Sequence, residues 1–291
     1  MSDYNRPSAE LRARVALEKH GFHTTHSLGQ NFLLSESLLG HLLDAAEITP
    51  GDRVLEIGPG AGVMTSLLAE RAERVLAVEL DRGLEPVLSE VLEGVENVEV
   101  VYQDAMKADL RAMMGEDPYR VVANLPYYIT SDVLVKLATA EHAPESVCIM
   151  VQKEAAERVM SAPGSKSWCA MAATVRFYGE ARVLEEVPPE AFNPPPHVMS
   201  CFMRIDRHSR PPVVPKDRAL FLRLINAAFA MRRKTLANNL KAGFGISQEA
   251  AREILLAADV DERVRGEALD LEALCRVADA LAERLALDKI I

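Results

Sequence analysis

The sequence predicts an α/β protein: a mostly parallel, doubly wound sheet followed by a small all-helical domain. Three observations predict it. Short apolar runs alternate with helical patterns from 53 to 151, the pattern of parallel strands joined by crossover helices. A Gly-rich turn follows the first of those runs and leads directly into a helical pattern. Beyond the stretch HSRPPVVP at 208–215, every remaining pattern is helical. The expected division is therefore 1–207 for the sheet with an N-terminal helical extension, and 208–291 for the helices.

The elements follow in order. The N-terminus, MSDYNRPSAELRARVALEKHG, is polar and mixed in charge, with no apolar stretch followed by small residues, so it does not read as a secretory leader. It reads as a short helix with Leu11, Val15 and Leu17 on one side. RVLEI, RVLAVEL, VEVVY, RVVANL and VCIMVQ are the candidate strands, with helices such as VMTSLLAERA between them. Pro188, Pro189, Pro194, Pro195 and Pro196 then punctuate the chain. VMSCFMRI follows with strand character and is expected to close the sheet as an antiparallel edge strand. Helices are expected at 216–240, 247–258 and 270–287.

Composition narrows the function. A chain of 291 residues, 49% of them hydrophobic, suffices for two domains with a buried core. No charge-free run of about 18 apolar residues exists, so no membrane span is expected. Cys148, Cys169, Cys201 and Cys275 form no C-x-x-C pair and sit in apolar settings, which predicts free thiols in a reducing cytoplasm. The histidines, His20, His23, His26 and His41 included, show no metal-ligand spacing. The net charge of −10 argues against a protein generally coated by nucleic acid. Yet Arg218, Arg223, Arg232, Arg233, Lys234 and Lys241 fall in one window without an acid. That island reads either as a local phosphate contact or as a solvated helix face.

RVLEI runs into Gly58-Pro59-Gly60-Ala61-Gly62, and a helix opens at about Val63. Glycines permit positive φ and close ligand approach, and a helix N-terminus adds free amides. A dinucleotide fingerprint needs Gly or Ala where the chain has Val63, which disfavours an NAD-dependent enzyme. The pattern is E-x-G-x-G-x-G from Glu56, and it resembles motif I of class I methyltransferases, which bind S-adenosylmethionine. The resemblance implies a Rossmann-like, seven-stranded sheet. It also implies a ribose contact at Glu79, at the end of the next strand. Asp104, ending the third, would receive the adenine amine. Either acid alone is more often a plain surface or capping residue.

The fourth strand ends in Asn124-Leu125-Pro126-Tyr127, which by itself could be a proline turn. It looks like the N/D-P-P-Y/F motif of amino-group methyltransferases and stands at the strand ends where such sheets place chemistry. An adenine N6 amine is a poor nucleophile because its lone pair is delocalised into the ring. The Asn124 carboxamide and the Leu125 carbonyl can accept its two hydrogens, favouring a tetrahedral nitrogen and offsetting the developing charge. Tyr127 can stack on the base, which must be splayed out of its helix.

With these motifs, nearly the whole chain resembles the ribosomal RNA adenine dimethylase family. Leu28-Gly29-Gln30-Asn31-Phe32-Leu33 matches the family's G-Q-N/H-F-L, which implies that Asn31 and Leu33 join Gly58, Gly60, Glu79, Asp104 and Asn124 around S-adenosylmethionine. Gln152–Arg158, Pro163–Lys166 and Phe192-Asn193-Pro194-Pro195-Pro196-His197-Val198 match further; Phe192 would then cover the second face of the target adenine, although alone it reads as a core aromatic. Phe229-Ala230-Met231-Arg232-Arg233-Lys234-Thr235-Leu236 resembles the F-x-x-R-R-K-T-L of the 16S rRNA branch. That branch dimethylates two adjacent adenosines in a 3′-terminal hairpin loop of 16S rRNA, in the small subunit or its precursor. Arg232, Arg233 and Lys234 would contact RNA, and the protein would act as a cytoplasmic monomer. The alternatives are a resistance-type large-subunit rRNA methyltransferase and an assembly factor that uses the fold only for binding. Four positions depart from the family: His26 replaces a basic residue, Ser35 stands where Asp is common, and Trp168-Cys169 where Tyr-Gly is common.

Overall fold

The computed structural model describes residues 7–22 and 30–288. In chain order the elements begin with α1 (Ala9–Lys19), β1 (Phe32–Leu33), α2 (Glu36–Ala45), β2 (Arg53–Ile57), α3 (Val63–Ala69), β3 (Arg74–Glu79) and α4 (Glu85–Val91). They continue with β4 (Val98–Tyr102), α5 (Leu110–Met114), β5 (Arg120–Asn124), α6 (Thr130–Thr139), β6 (Ser146–Gln152), α7 (Lys153–Val159) and α8 (Ala170–Tyr178). The last are β7 (Gly179–Val187), β8 (Phe192–Asn193), β9 (Ser200–Arg207), α9 (Arg218–Ala230), α10 (Leu236–Phe244), α11 (Gln248–Ala257) and α12 (Leu271–Asp288).

Seven strands form one sheet in the order β4-β3-β2-β5-β6-β9-β7. β2 pairs in parallel with β3 on one side and β5 on the other, so strand order reverses at β2. β9 runs antiparallel to β6, from Ser146 opposite Asp206 to Gln152 opposite Ser200. Its direction is as expected but its place is not: β7 lies outside it and takes the edge. The reason is burial. Ser200–Ile205 is buried at every residue, so both faces are covered, which only an interior strand achieves. β7, GEARVLEEV, carries three acids and an arginine and leaves most residues half-buried or exposed, a composition that a sheet edge tolerates.

α1 forms where expected, with Ser8 capping its N-terminus, but turns another face inward. Ala9, Ala13 and Ala16 are buried, Leu17 is half-buried, and Leu11 and Val15 are about half exposed at 52% and 49%. α1 packs on α3 and α4, and the small alanines allow that close approach. Ser35 caps α2 by accepting from the Leu38 amide at 3.4 Å, a role that Asp would also fill.

Packing separates two units. One holds the sheet, to Ala156 and again at Ala181–Arg207; the other holds Glu157–Glu180 and the chain from His208. Residues 157–180, which linear reading places with the sheet, thus belong with the helices. Trp168 explains this: it is fully buried among Phe221, Leu224 and Leu274, and its indole donates to the Leu269 carbonyl at 2.9 Å. Phe177 adds an edge contact to Phe221 at 5.0 Å. The helix expected over 216–240 is two helices. Between them, the buried Asn239 donates through Nδ2 to the Ala228 carbonyl at 2.8 Å and accepts from the Met231 amide at 3.1 Å. One side chain thereby satisfies backbone groups that an unbroken helix would have paired internally. All four cysteines are free; Cys148, Cys201 and Cys275 are buried and Cys169 is half-buried.

Candidate active site

A cavity of about 340 Å³ opens at the carboxyl ends of β2, β3, β4 and β5. Each strand delivers its next residues to the wall: Gly58 and Gly60 from β2, Glu79 from β3, Asp104 from β4, and Asn124 through Tyr127 from β5. Asn31 and Leu33 close another part of it. Every residue proposed from sequence for the cofactor therefore lies on one cavity.

The Gly-rich turn is a close-packed device. Gly58 has φ +77°, and a Cβ there would sit 3.2 Å from the Asn124 carbonyl oxygen and the Leu125 side chain. Gly60 has φ +57°, and its Cβ would meet the Phe32 ring at 3.0 Å. Neither position accepts a side chain without displacing the wall. Glu79, 6% exposed, accepts from the Gly60 amide at 3.2 Å and the Asp81 amide at 2.8 Å. Burial raises its carboxyl above the usual range, and those amides pull the other way. Asp104 accepts from the Met106 amide at 2.9 Å, and its other oxygen lies 3.7 Å from the Lys107 ammonium.

Asn31 and Leu33 are held through their neighbours. β1 pairs antiparallel with β8, Leu33 opposite Phe192. Gln30 donates to Asp81 at 2.8 Å, tying this segment to the turn after β3. His26, Leu28 and Gly29 lie outside the described residues. Tyr127 lines the cavity while its hydroxyl meets that of the fully buried Ser200 at 2.6 Å. Burial raises the Tyr127 phenol above its usual range.

Phe192 is the candidate that does not join this wall. It is 4% exposed, pairs with Leu33 in the small sheet and packs in the hydrophobic core beneath. Its apolar ring is satisfied there, as its residue type alone suggests. Arg232, Arg233 and Lys234 lie in the other unit, exposed in the turn between α9 and α10. Arg232 donates to the Lys166 carbonyl at 2.6 Å and lies 3.9 Å from Glu267. Of the remaining island, Arg223 donates to the Gly243 carbonyl at 2.8 Å and stacks over Phe244.

Among the residues on the cavity wall that sequence reasoning missed, Leu80, Met106 and Tyr128 stand out as large hydrophobic side chains that are 53%, 37% and 61% exposed. Their signal was position. Each follows a named site residue by one or two places, where a parallel strand hands its chain to the crevice.

Comparison with known proteins bears on this geometry. Residues 21–283 match the family model described as ribosomal RNA adenine dimethylase. The chain belongs to that family. A relative named ribosomal RNA small subunit methyltransferase A, from Geobacillus kaustophilus, is 40% identical over 279 residues, 93% of this chain and 95% of its own length. Its namesake from Alkaliphilus oremlandii is 38% identical and covered in full. A dimethyladenosine transferase from Plasmodium falciparum superposes with TM-score 0.69 at 25% identity, over 88% of this chain and 96% of that one. The 23S rRNA methyltransferase ErmE gives 0.62 at 25% identity, over 87% and 100%. The fold is that of class I methyltransferases.

Beneath the dimethylase cavity lies Glu56, fully buried, with neither carboxyl oxygen closing a hydrogen bond of regular geometry among the described residues. Burial pushes its carboxyl from the ordinary 4.5 to about 8; the Thr65 hydroxyl opposes the rise and the Glu79 carboxylate adds to it. Because the folded value lies above the unfolded one, folding takes up a proton, and this contribution is lost as pH rises from about 4.5 to about 8. Glu56→Gln removes the titration. Its melting temperature relative to the parent should climb by roughly 5 °C or more between pH 5 and pH 8, read by thermal unfolding across that range. A difference that does not change with pH would contradict a neutral Glu56.

Proposed function

We propose that this protein transfers methyl groups from S-adenosylmethionine to N6 of two adjacent adenosines in a 3′-terminal hairpin loop of 16S rRNA. The product is N6,N6-dimethyladenosine, formed during maturation of the small ribosomal subunit. The observation that carries the reading is the placement of Asn124, Leu125, Pro126 and Tyr127 on the same cavity as Glu79 and Asp104.

The residues fit the cofactor by their donors and their space. Glu79, already fixed by two backbone amides, keeps a carboxylate for ribose hydroxyls. Asp104 offers an acceptor for the adenine amine, and Gly58 and Gly60 leave the backbone open to close approach. When bound, S-adenosylmethionine supplies an electrophilic methyl on a sulfonium. The Asn124 carboxamide oxygen and the Leu125 carbonyl accept the two hydrogens of the target amine, which draws its lone pair out of the ring. No strong base is required, because the methylated amine is acidic and gives its proton to water. Tyr127, anchored by Ser200, offers an aromatic face to the base.

The full-length relatives bearing the small-subunit name, and the string Phe229–Leu236, favour 16S rRNA over the large-subunit rRNA named for ErmE. The basic turn at Arg232, Arg233 and Lys234 supplies phosphate contacts, with Arg233 and Lys234 the better placed because Arg232 is engaged by Lys166 and Glu267.

The deciding assay is methyl transfer from labelled S-adenosylmethionine to undermethylated small subunits, followed by nucleoside analysis. Dimethyladenosine at two neighbouring positions near the 3′ end is expected; cofactor binding without transfer would point to an assembly factor. In the same assay Asn124→Ala should lower turnover by roughly two to three orders of magnitude with cofactor affinity nearly unchanged. Lost cofactor binding with normal turnover at saturation would contradict that role. Replacing Arg233 and Lys234 by Ala should flatten the salt dependence of RNA binding by about one unit of slope per lost phosphate contact. An unaltered slope in a filter-binding titration would remove them from the interface.

A further inference from the structure

Asp104 stands in an awkward place. It follows β4, and β4 is the outermost strand on its side of the sheet, paired only with β3. A turn after an edge strand has neighbouring backbone on one side alone. The turn is tight. The Asp104 carbonyl accepts from the Lys107 amide at 2.9 Å and the Ala108 amide at 3.1 Å, while its side chain accepts from the Met106 amide at 2.9 Å. Such local bonds shape the turn but fix it to nothing else.

The second support comes from α6. The Lys136 ammonium donates to three backbone carbonyls of this turn: Ala105 at 2.9 Å, Met106 at 2.9 Å and Ala108 at 2.6 Å. An ammonium has three donors, and here all three serve one loop. α6 begins at Thr130, three residues beyond Tyr127, and the Thr130 hydroxyl reaches back to the Pro126 carbonyl at 3.4 Å. Lys136 thus stands on the helix that continues the Asn124–Tyr127 segment, and it grips the turn carrying Asp104, Ala105 and Met106, all on the cavity wall. In the sheet, β4 and β5 are three strand spacings apart, about 14 Å. Lys136, on the helix after β5, links that helix to the turn after β4.

We infer that Lys136 is a positioning residue: by holding the 104–108 turn against α6, it sets Asp104 for the cofactor's adenine and couples that end of the cavity to the segment that receives the target base. The inference rests on the cofactor reading of the cavity. Arg is a poor substitute, because a planar fork cannot aim three donors at three converging carbonyls. Met keeps the length and the apolar stem but leaves all three carbonyls without their cation.

The test is a double-mutant cycle read by calorimetric binding of S-adenosylhomocysteine to the full chain. Lys136→Met is expected to weaken binding roughly tenfold, as Asp104→Ala does, and the double variant to be no weaker than Asp104→Ala alone, because Lys136 acts through that carboxylate. With undermethylated small subunits as substrate, Lys136→Met should raise the cofactor KM while kcat at saturation stays within about threefold. Multiplying effects in the cycle, or a fall in kcat at unchanged KM, would overturn the assignment. Unchanged binding in Lys136→Met beside a weakened Asp104→Ala would overturn it too, leaving the cofactor site intact. Unchanged binding in Asp104→Ala would instead overturn the cofactor reading itself. Should Lys136→Met fail to fold, Lys136→Gln, which retains two donors, enters the same cycle with the same expected non-additivity.

Discussion

At the end of β2 the chain passes so close to the end of β5 that a methyl group on Gly58 would lie 3.2 Å from the Asn124 carbonyl oxygen. The approach follows from parallel pairing that places Ile57 opposite Ala123 and delivers both strands to the same level. β2 is also where strand order reverses, so the helices after β2 and β5 leave toward different sides and a crevice opens between them. The Gly-rich turn and the Asn124–Tyr127 segment meet there because the sheet leaves no other arrangement. The cavity wall, the spacing of the acids and the exposure of Tyr128 all depend on that junction.

Around it the protein spends stability on polar groups. Glu56 is fully buried and Glu79 nearly so, and burial raises both carboxyls. Glu79 recovers part of the cost through the Gly60 and Asp81 amides, bonds that also fix the Gly-rich turn against β3. For Glu56 the Thr65 hydroxyl opposes the rise, while the Glu79 carboxylate adds to it. At the sheet's edge, three carbonyls and one ammonium do for the Asp104 turn what backbone pairing does for the inner strands.

The helical unit solves a different problem. Its core is built on apolar side chains, set by Trp168, Phe221 and the leucines of α9, α10 and α12. One buried polar side chain, Asn239, interrupts what would be a continuous helix and turns Arg232, Arg233 and Lys234 outward. Gly266 permits this packing: a Cβ there would stand 2.2 Å from the Ala228 carbonyl oxygen.

The sequence by itself determined the fold class and the strand-end residues that meet on the cavity. Parallel strands buried on both faces must be apolar runs, a Gly-rich turn must be glycine where φ is positive, and strand ends in such a sheet must face one crevice. Local pattern therefore placed Gly58, Gly60, Glu79, Asp104 and Asn124 at successive strand ends, and resemblance gave them a cofactor and added Asn31 and Leu33. What depends on packing between distant segments was decided only by the tertiary structure. β7 carries edge chemistry that looks like loop or helix in sequence, and it displaced β9 from the edge. Phe192 could cover a base or fill a core; its pairing with Leu33 put it in the core. Residues 157–180 joined the helices because Trp168 needed an apolar enclosure and found a partner 101 residues away at Leu269. Nothing in the sequence singles out Lys136. Its function depends on three backbone carbonyls, and carbonyls, common to every residue, leave no mark in a sequence.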